Sequence, residues 1–220
     1  QQKSLDSMAK LLNALLDISK LEAGIVKPDI TDCAVHEIFE DLRAEFDEQA
    51  KTKGLELIIE RCNDVAKSDA RLLTQILENF ISNAIRYTRE GFIRLRCLHQ
   101  EASIRLEVLD TGMGISPDEI GDIFEEFHQV DAGKTRPEGL GLGLSIVKRT
   151  AELLGCELDV SSKPGEGSVF SVVVPQGERE RTAARATETA AEGDAVTGLV
   201  LVVDDEPTVL DATSILLQIE

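Results

Sequence analysis

The stretch GFIRLRCLHQEASIRLEVLD, Gly91 to Asp110, contains two strand-like runs that are separated by a short polar turn. The runs cover residues 91–98 and 103–109. Strands joined by so short a connection pair antiparallel, because a parallel pair needs a crossover of about a dozen residues or more. The stretch therefore predicts an α+β layer and not a repeated strand–helix–strand unit.

Patterns on both sides of this hairpin extend the same layer. Apolar residues recur there at helical spacing in some segments and at strand spacing in others. They predict helices over about residues 34–52, 69–86 and 141–154, and strands at 55–61, 156–161 and 168–174. Together these elements indicate one ordinary domain with one hydrophobic core.

A leading helix is predicted over residues 4–22, where Leu5, Met8, Leu12 and Leu15 recur at spacings of three and four. Further apolar residues widen this stripe. A stripe this broad predicts packing against partner helices in a bundle or a dimer. Packing of the helix onto its own domain is an equally good alternative on pattern alone.

The composition restricts the class of protein. Of the 220 residues, 42% are hydrophobic and 29% charged, which is typical of a folded globular chain. No apolar run approaches the roughly 20 residues that a membrane-spanning helix needs. The formal net charge of −18 argues against nucleic acid as a partner. A polyanionic ligand would therefore have to be bound by local groups.

Four cysteines, Cys33, Cys62, Cys97 and Cys156, lie far apart in the sequence. They form no CxxC pair and have no histidine at ligand spacing, so we expect neither a zinc site nor a disulfide framework. A reduced, cytoplasmic setting fits this pattern. We also expect the chain to be part of a longer protein, because it begins without Met and ends within a helical pattern.

The segment ENFISNAIRYT, Glu78 to Thr88, lies in a predicted helix. Asn79, Asn83 and Arg86 are separated by four and three residues, which places two amides and a guanidinium on one helix face. Amide oxygens suit magnesium, which prefers oxygen ligands, and the guanidinium suits a phosphate oxygen. A polar solvated face is the alternative.

The segment LEVLDTGMGI, Leu106 to Ile115, predicts a strand that ends in Asp110 and passes into a turn with Gly112 and Gly114. A carboxylate fixed at a strand end accepts from an exocyclic amino group, and glycines let the backbone approach a flat ring. A simple turn is the more common meaning of this pattern taken alone.

The segment GLGLGLSIVKR, Gly139 to Arg149, places three alternating glycines directly before a helix. Their bare amides and the positive end of the helix dipole favour a triphosphate. It is not the dinucleotide fingerprint, because Ile146 stands where the last glycine of that pattern belongs.

The segment before it is predicted to be a mobile lid over residues 128–138. Lys134 and Arg136 would be available there to phosphates. Gly133, Lys134 and Thr135 spell the end of a P-loop, but His128 stands where its first glycine is required.

The segment SKPGEGSVF, Ser162 to Phe170, predicts a hairpin turn at Gly165 and Gly167 before the last strand. This turn is informative because of its place in a series of such segments. Five such segments follow one another as Asn79/Asn83, Asp110-x-Gly112-x-Gly114, Phe124/Phe127, Gly139/Gly141/Gly143 and Gly165-x-Gly167.

This series resembles the N, G1, F, G2 and G3 boxes of sensor histidine kinases, and the resemblance covers residues 1 to about 175. The family shares its ATP-binding domain with the gyrase, heat-shock chaperone and mismatch-repair ATPases. The resemblance implies an α+β fold of the Bergerat type, an α/β sandwich in which helices cover a mixed sheet, preceded by one helix of a dimerisation hairpin.

The resemblance also implies roles for particular residues. Asn79 or Asn83 would hold Mg²⁺ through ATP, Arg86 would contact phosphate, Tyr87 would lie along the adenine, and Asp110 would recognise its amino group. Phe124 and Phe127 would pack the lid, although core phenylalanines are an equally good interpretation. Glu78 is a candidate general base, with a solvated side chain as its alternative. The implied ATP-binding set is Asn79, Asn83, Arg86, Tyr87, Asp110, Gly112, Gly114, Lys134, Arg136, Gly139, Gly141, Gly143, Leu144, Gly165, Gly167 and Ser168.

By the same resemblance, residues 1–25 are the second helix of the phosphoacceptor hairpin and 26–176 the ATP-binding domain. None of His36, His99 and His128 has the sequence context of the family's phosphoacceptor. The hairpin helix that carries that histidine is expected upstream.

Residues 177–195 contain no large apolar residue, so we predict a linker over 177–197. Residues 198–220 resemble the start of a receiver domain. Asp204 and Asp205 would bind Mg²⁺ there in an incomplete site, and a simple strand cap is the alternative.

The expected function is transfer of the ATP γ-phosphate to a histidine, with onward relay to a receiver aspartate in cis or to a response regulator in trans. The expected partners are ATP, the dimerisation-domain histidine of the same protein and a second copy in a homodimer, with no nucleic acid. The expected location is the cytoplasm, with a membrane anchor in missing upstream segments left open. The alternatives are a non-catalytic ATP sensor or scaffold, and an ATP hydrolase.

Overall fold

The computed structural model describes residues 12, 15, 16, 18–21, 23–129 and 141–178. The elements in chain order are β1 (Thr31–Ala34), α1 (Val35–Thr52), β2 (Glu56–Ile59), β3 (Val65–Ser68), α2 (Ala70–Tyr87), β4 (Phe92–His99), β5 (Ser103–Asp110), α3 (Gly143–Leu154), β6 (Glu157–Lys163) and β7 (Gly167–Pro175). The predicted α+β class is confirmed.

The main sheet has five strands in the order β2-β4-β5-β7-β6. Strand β2 pairs parallel to β4, and every other neighbour in this sheet is antiparallel, so the sheet is mixed. The predicted antiparallel pair is β4 and β5, in which Ile93 lies opposite Asp110. This register places the end of β5 beside the start of β4.

One face of the main sheet is apolar and carries the helices. Alternate residues of its strands are buried there, among them Leu95, Leu106 and Val172 at 0% exposure. The opposite face is polar, because Arg96 pairs with Glu107 at 2.8 Å and Arg105 with Asp159 at 3.0 Å. The result is a two-layer sandwich with its core between the helices and the sheet.

Helix α2 lies in the middle of this core. It begins at an N-cap, Asp69, whose Oδ1 accepts from the Leu72 N–H at 3.0 Å. Its apolar face follows helical spacing, and Phe80 contacts Phe170 of β7 with ring centroids 5.4 Å apart. Because its apolar face is fully buried, the orientation of the polar face of α2 is fixed.

A second, two-stranded sheet was not predicted from the sequence. It pairs β1 with β3 antiparallel. Residues after β7 extend it, since Gln176 forms a bridge with Ala66 and the Gly177 N–H donates to Val65 O at 2.8 Å. The ordered fold therefore includes residues 177 and 178, where the predicted linker begins.

The described residues of the leading segment between 12 and 21 are helical. Ile18 and Leu21 pack with Leu142 and Ile146 at the start of α3. By contrast, Leu12 is 60% exposed. Part of the apolar stripe thus packs against its own domain, and another part is uncovered. Within the described residues, every helix falls short of the length or apolar content that a membrane crossing requires.

Candidate active site

Asp110, the last residue of β5, is the buried carboxylate of the site. It is 6% exposed, and its Oδ1 accepts from the Gly112 N–H at 2.8 Å. Burial raises the pKa of the carboxyl, and hydrogen bonds from the backbone of Gly112 and Ser168 oppose that rise. The structure therefore places Asp110 as predicted, a rigid acceptor at a strand end.

The turn that follows Asp110 is attached to the β6–β7 hairpin. The Gly165 N–H donates to Met113 O at 2.7 Å, and the Ile115 N–H donates to the Ser162 hydroxyl at 2.8 Å. That hydroxyl in turn donates to Gly167 O at 2.9 Å. Two segments that are far apart in the sequence therefore form one side of the site.

Glycines are required here because protein backbone approaches them closely. A Cβ at Gly114 would lie 2.0 Å from Lys163 O, and one at Gly167 would lie 1.9 Å from Asp110 O. Both glycines also have positive φ angles, +68° and +95°. The sequence interpretation was that Gly114 lets the backbone approach a flat ring of the ligand. The structure shows instead that both glycines let the two halves of the site pack on each other.

The polar face of α2 is directed toward the same region. Asn79 and Asn83 are half-buried, whereas Arg86 and Tyr87 are exposed. The Asn79 Nδ2 group donates to Gln75 O at 2.8 Å, so the amide oxygen is the atom that remains for another partner. This oxygen faces the start of α3, since a Cβ at Gly143 would lie 2.7 Å from it.

The start of α3 presents uncapped backbone. Its N-cap residue, Leu142, makes no side-chain cap hydrogen bond, and the Ser145 hydroxyl donates backward to Leu142 O at 2.9 Å. The first-turn N–H groups and the helix dipole therefore favour an anion at this end. Leu144, which follows Gly143, packs partly against the main core and anchors the turn.

Thr88 is a site residue that the sequence interpretation did not single out. It is fully buried, and its hydroxyl has no hydrogen-bond partner among the described residues. A Cβ at Gly112 would lie 3.1 Å from that hydroxyl and 2.7 Å from Asp110 Oδ1. A threonine just after a helix gives no signal in the sequence beyond a helix end.

Glu78 lies on a different side of α2. It is half-buried, and burial together with the nearby Glu45 carboxylate raises its pKa. It faces a cavity between α2 and the leading segment. The residues lining this cavity are Lys20, Leu21, Val26, Arg71, Leu72, Thr74, Gln75 and Glu78. Glu78 is therefore partly solvated, and its role as a general base stays a prediction.

The segment before the glycine-rich turn is partly described. Phe124 packs against the core, whereas Phe127 is 58% exposed with a positive φ of 62°. The Phe127 N–H donates to Gly141 O at 2.9 Å. The remaining predicted residues Lys134, Arg136, Gly139, Asp204 and Asp205 lie outside the described residues.

The site has two ends, which α2 connects. Asp110 and Thr88 lie at its C-terminal end, and Asn79 with the start of α3 lies nearer its middle. Thr88 lies nine positions after Asn79, which corresponds to about 14 Å along the helix. One end offers a buried acceptor and the other offers anion-binding amides. The fold is of the α+β type, and the site has the two kinds of group that a ligand with a polar donor at one end and an anion at the other would need.

Comparison with known proteins identifies the class further. Residues 68–178 match the model of the histidine kinase-, DNA gyrase B- and HSP90-like ATPase family. The chain is 38% identical over 191 residues to the sensor protein GacS of Pseudomonas syringae pv. syringae, which covers 82% of this chain and 21% of GacS. It is 35% identical over 176 residues to hybrid signal transduction histidine kinase B of Dictyostelium discoideum, covering 76% of this chain and 9% of that protein.

A solved structure of full-length ShkA in complex with AMPPNP is similar in fold, with a TM-score of 0.72 and 28% identity. The match covers 80% of this chain and 37% of ShkA. The chain thus belongs to the histidine kinase-, DNA gyrase B- and HSP90-like ATPase family and contains the ATP-binding catalytic domain of a sensor histidine kinase. It spans about a fifth of the length of GacS.

Proposed function

We propose that this domain binds magnesium ATP and transfers its γ-phosphate to a histidine on a dimerisation hairpin. The main support is the placement of a buried acceptor, Asp110, and an uncapped helix start, α3, at two ends of one polar helix face. A nucleoside triphosphate has matching chemistry, since its base carries an amino donor and its other end is a polyanion.

At the base end, Asp110 accepts from the adenine amino group and Thr88 lies beside it. The unpartnered Thr88 hydroxyl fits this proposal, because a buried polar atom without a partner is unfavourable until a ligand or water satisfies it. Tyr87 is exposed next to this end and lies along the ring. Gly112 and Ser168 support Asp110 through the backbone.

At the phosphate end, Asn79 or Asn83 would hold the magnesium ion through a side-chain oxygen. The Asn79 geometry fits an oxygen ligand, because its nitrogen is already used by Gln75 O. Bound magnesium would neutralise charge on the phosphate oxygens. The N–H groups at the start of α3, with Arg86, Lys134 and Arg136, take the remaining phosphate oxygens.

Phosphoryl transfer then requires an accepting imidazole close to the γ-phosphate. An imidazole nitrogen attacks the γ-phosphorus, the bond to the bridging oxygen breaks, and ADP leaves. Glu78 is proposed as the base that takes the imidazole proton, and its raised pKa supports such a role. The position of Glu78 also supports this role. Glu78 lines a cavity together with Lys20, Leu21 and Val26 of the leading segment, which follows the proposed hairpin helix in the chain.

The wider organisation is proposed from the sequence. Residues 1–25 are one arm of a homodimeric hairpin, 26–176 the ATP-binding domain, 177–197 a linker and 198–220 the start of a receiver with Asp204 and Asp205. The exposed leucines of the leading helix support a partner helix there. The relay would continue to a receiver in cis or a response regulator in trans, and the location would be cytoplasmic.

Labelled ATP tests this function in a longer protein that also carries the histidine-bearing first helix of the hairpin. We expect acid-labile, base-stable label on the protein. Glu78→Gln should retain ATP binding while losing most of the label, and Asp41→Asn, an exposed acid on α1, should behave as wild type. Label remaining on ATP would support the sensor alternative, and release of free phosphate without labelled protein would support hydrolysis.

A further inference from the structure

Two cysteines and an aspartate come together at the edge of the sheet remote from Asp110. Cys62 and Asp64 lie in the loop that joins β2 to β3, and Cys97 lies on β4. Because β2 pairs with β4, with Ile59 opposite Leu95, the chain that leaves β2 passes directly beside Cys97. The fold therefore brings together two cysteines that are far apart in the sequence.

The distances between these side chains are those of a ligand set. The Sγ atoms of Cys62 and Cys97 lie 3.7 Å and 3.6 Å from Oδ2 of Asp64. All three ligand atoms lie within 4.8 Å of one another. Among the residues that the structure describes, this is the one group of His, Cys, Asp and Glu side chains so arranged.

These distances match a tetrahedral zinc site. With Zn–S near 2.3 Å and Zn–O near 2.0 Å, a sulfur and an oxygen on one tetrahedron are about 3.5 Å apart. Both observed Cys-to-Asp distances lie within a few tenths of an ångström of that value. An ion would therefore fit between the three groups with little movement.

His99, two residues after Cys97, stands next to this group. Its Nδ1 lies 3.8 Å from Oδ1 of Asp64, and its side chain is 56% exposed. An imidazole at a strand end can turn toward a neighbouring position by rotation about its side-chain bonds. Rotated in this way, His99 would supply the nitrogen that completes a two-cysteine, one-histidine, one-carboxylate set.

The protein environment favours retention of a cation. Cys62 is buried and Cys97 and Asp64 are half-buried, so the group is accessible from one side and protected on the other. When a divalent ion displaces the thiol protons, two thiolates and a carboxylate offer three negative charges, of which the ion offsets two. Sulfur ligands select a borderline-soft ion such as Zn²⁺ over Mg²⁺.

We propose that Cys62, Asp64 and Cys97, with His99 as fourth ligand, form a structural zinc site that is separate from the ATP site. Cys97 lies four residues along β4 from Ile93, the residue opposite Asp110, which corresponds to about 13 Å. The ion would join the β2–β3 loop to β4. It would also steady the start of α1, because the Val35 N–H donates to Asp64 O at 3.0 Å.

Cobalt(II) titration of the reduced protein provides the test, because thiolate-bound tetrahedral cobalt has intense visible and near-ultraviolet absorption. We expect one equivalent to bind, to be displaced by Zn²⁺, and to raise the midpoint of thermal unfolding. The variant carrying both C62S and C97S should lose the signal. Cys156→Ser, which changes a half-buried cysteine elsewhere, should keep it.

Two further variants keep the proposal falsifiable if the double variant fails to fold. Asp64→Asn leaves both thiols in place and should weaken cobalt binding at least tenfold, and His99→Asn should weaken it by a comparable factor. Unchanged affinity in His99→Asn would remove His99 from the site. Absence of one-equivalent thiolate absorption in the wild type, or ready formation of a Cys62–Cys97 disulfide with no metal binding when reduced, would overturn the proposal.

Discussion

Single residues account for the two most constrained points of the site. Asp110 is buried without a cationic partner among the described residues, and its pKa is raised mainly because burial disfavours its charge. Gly167 lies so close to Asp110 O that no side chain fits. Burial of the Asp110 charge reduces stability, which is common where a protein binds a ligand.

Asp110→Asn is expected to separate stability from binding. A raised pKa in the folded state means that the wild type is stabilised below the unfolded pKa and loses that contribution as pH rises through the folded pKa. The asparagine variant should therefore be at least as stable as wild type at neutral pH, and this gain should vanish below the usual pKa range of aspartate. Urea unfolding at several pH values measures this.

The same variant should bind ATP at least tenfold more weakly, because the Gly112 N–H occupies the one amide oxygen and the amide nitrogen, a donor, is left to face the adenine amino group. Asp41→Asn should change neither property. A variant that is clearly less stable than wild type at neutral pH would contradict the role given to burial of Asp110.

Gly167→Ala should be far more damaging than Gly165→Ala. Both positions have positive φ, so each substitution carries a backbone strain of about 1 kcal/mol or more. Only the Cβ at Gly167 would collide with backbone, whereas nothing lies within 4 Å of one at Gly165. We expect a loss of roughly 3 kcal/mol or more at Gly167 by chemical denaturation. Equal losses at both positions would show that the close approach is unimportant.

At the scale of elements, α2 determines the site, because its buried face fixes the direction of its polar face. Periodicity predicted this helix and α1 to within one residue of their observed bounds. Strands β1 and β3 were not predicted because each has only four residues and the two pair with each other across more than 30 positions of sequence. Such short strands owe their existence to tertiary pairing and leave little periodicity to detect.

Asp69→Ala should destabilise the domain by roughly 1–2 kcal/mol. The residue caps α2 through Leu72 N and also accepts from the Asp29 N–H at 3.0 Å, so it joins the incoming chain to the helix. Asp69→Asn keeps one acceptor oxygen and should lose less. Thermal unfolding of the two variants gives the comparison, and an alanine variant as stable as the asparagine variant would contradict the capping role.

At the scale of the whole molecule, the order of five sequence segments predicted the family and the α+β class, but their contacts needed the fold. Some contacts have no sequence signature, because they depend on segments that the fold brings together from distant positions. Examples are the surroundings of the Thr88 and Ser162 hydroxyl groups and the approach of Cys62 to Cys97. The role proposed for Glu78 similarly depends on its place in the cavity beside the leading segment.

The proposed arrangement would also explain how a chain of net charge −18 binds a polyanion. Backbone N–H groups at the start of α3 carry no formal charge of their own, and amide oxygens on α2 would act through a metal ion that brings positive charge. Affinity for the nucleotide should accordingly depend on magnesium.

The central claim is that α2, the Asp110 turn and the start of α3 form one magnesium-dependent adenine nucleotide site. Calorimetric titration with ATP tests it most directly, with and without Mg²⁺, in the wild type and in Asn83→Ala. The account predicts one-to-one binding that weakens at least tenfold when the metal is omitted or Asn83 is replaced. Failure of the wild type to bind magnesium ATP, or equal binding by Asn83→Ala, would contradict it.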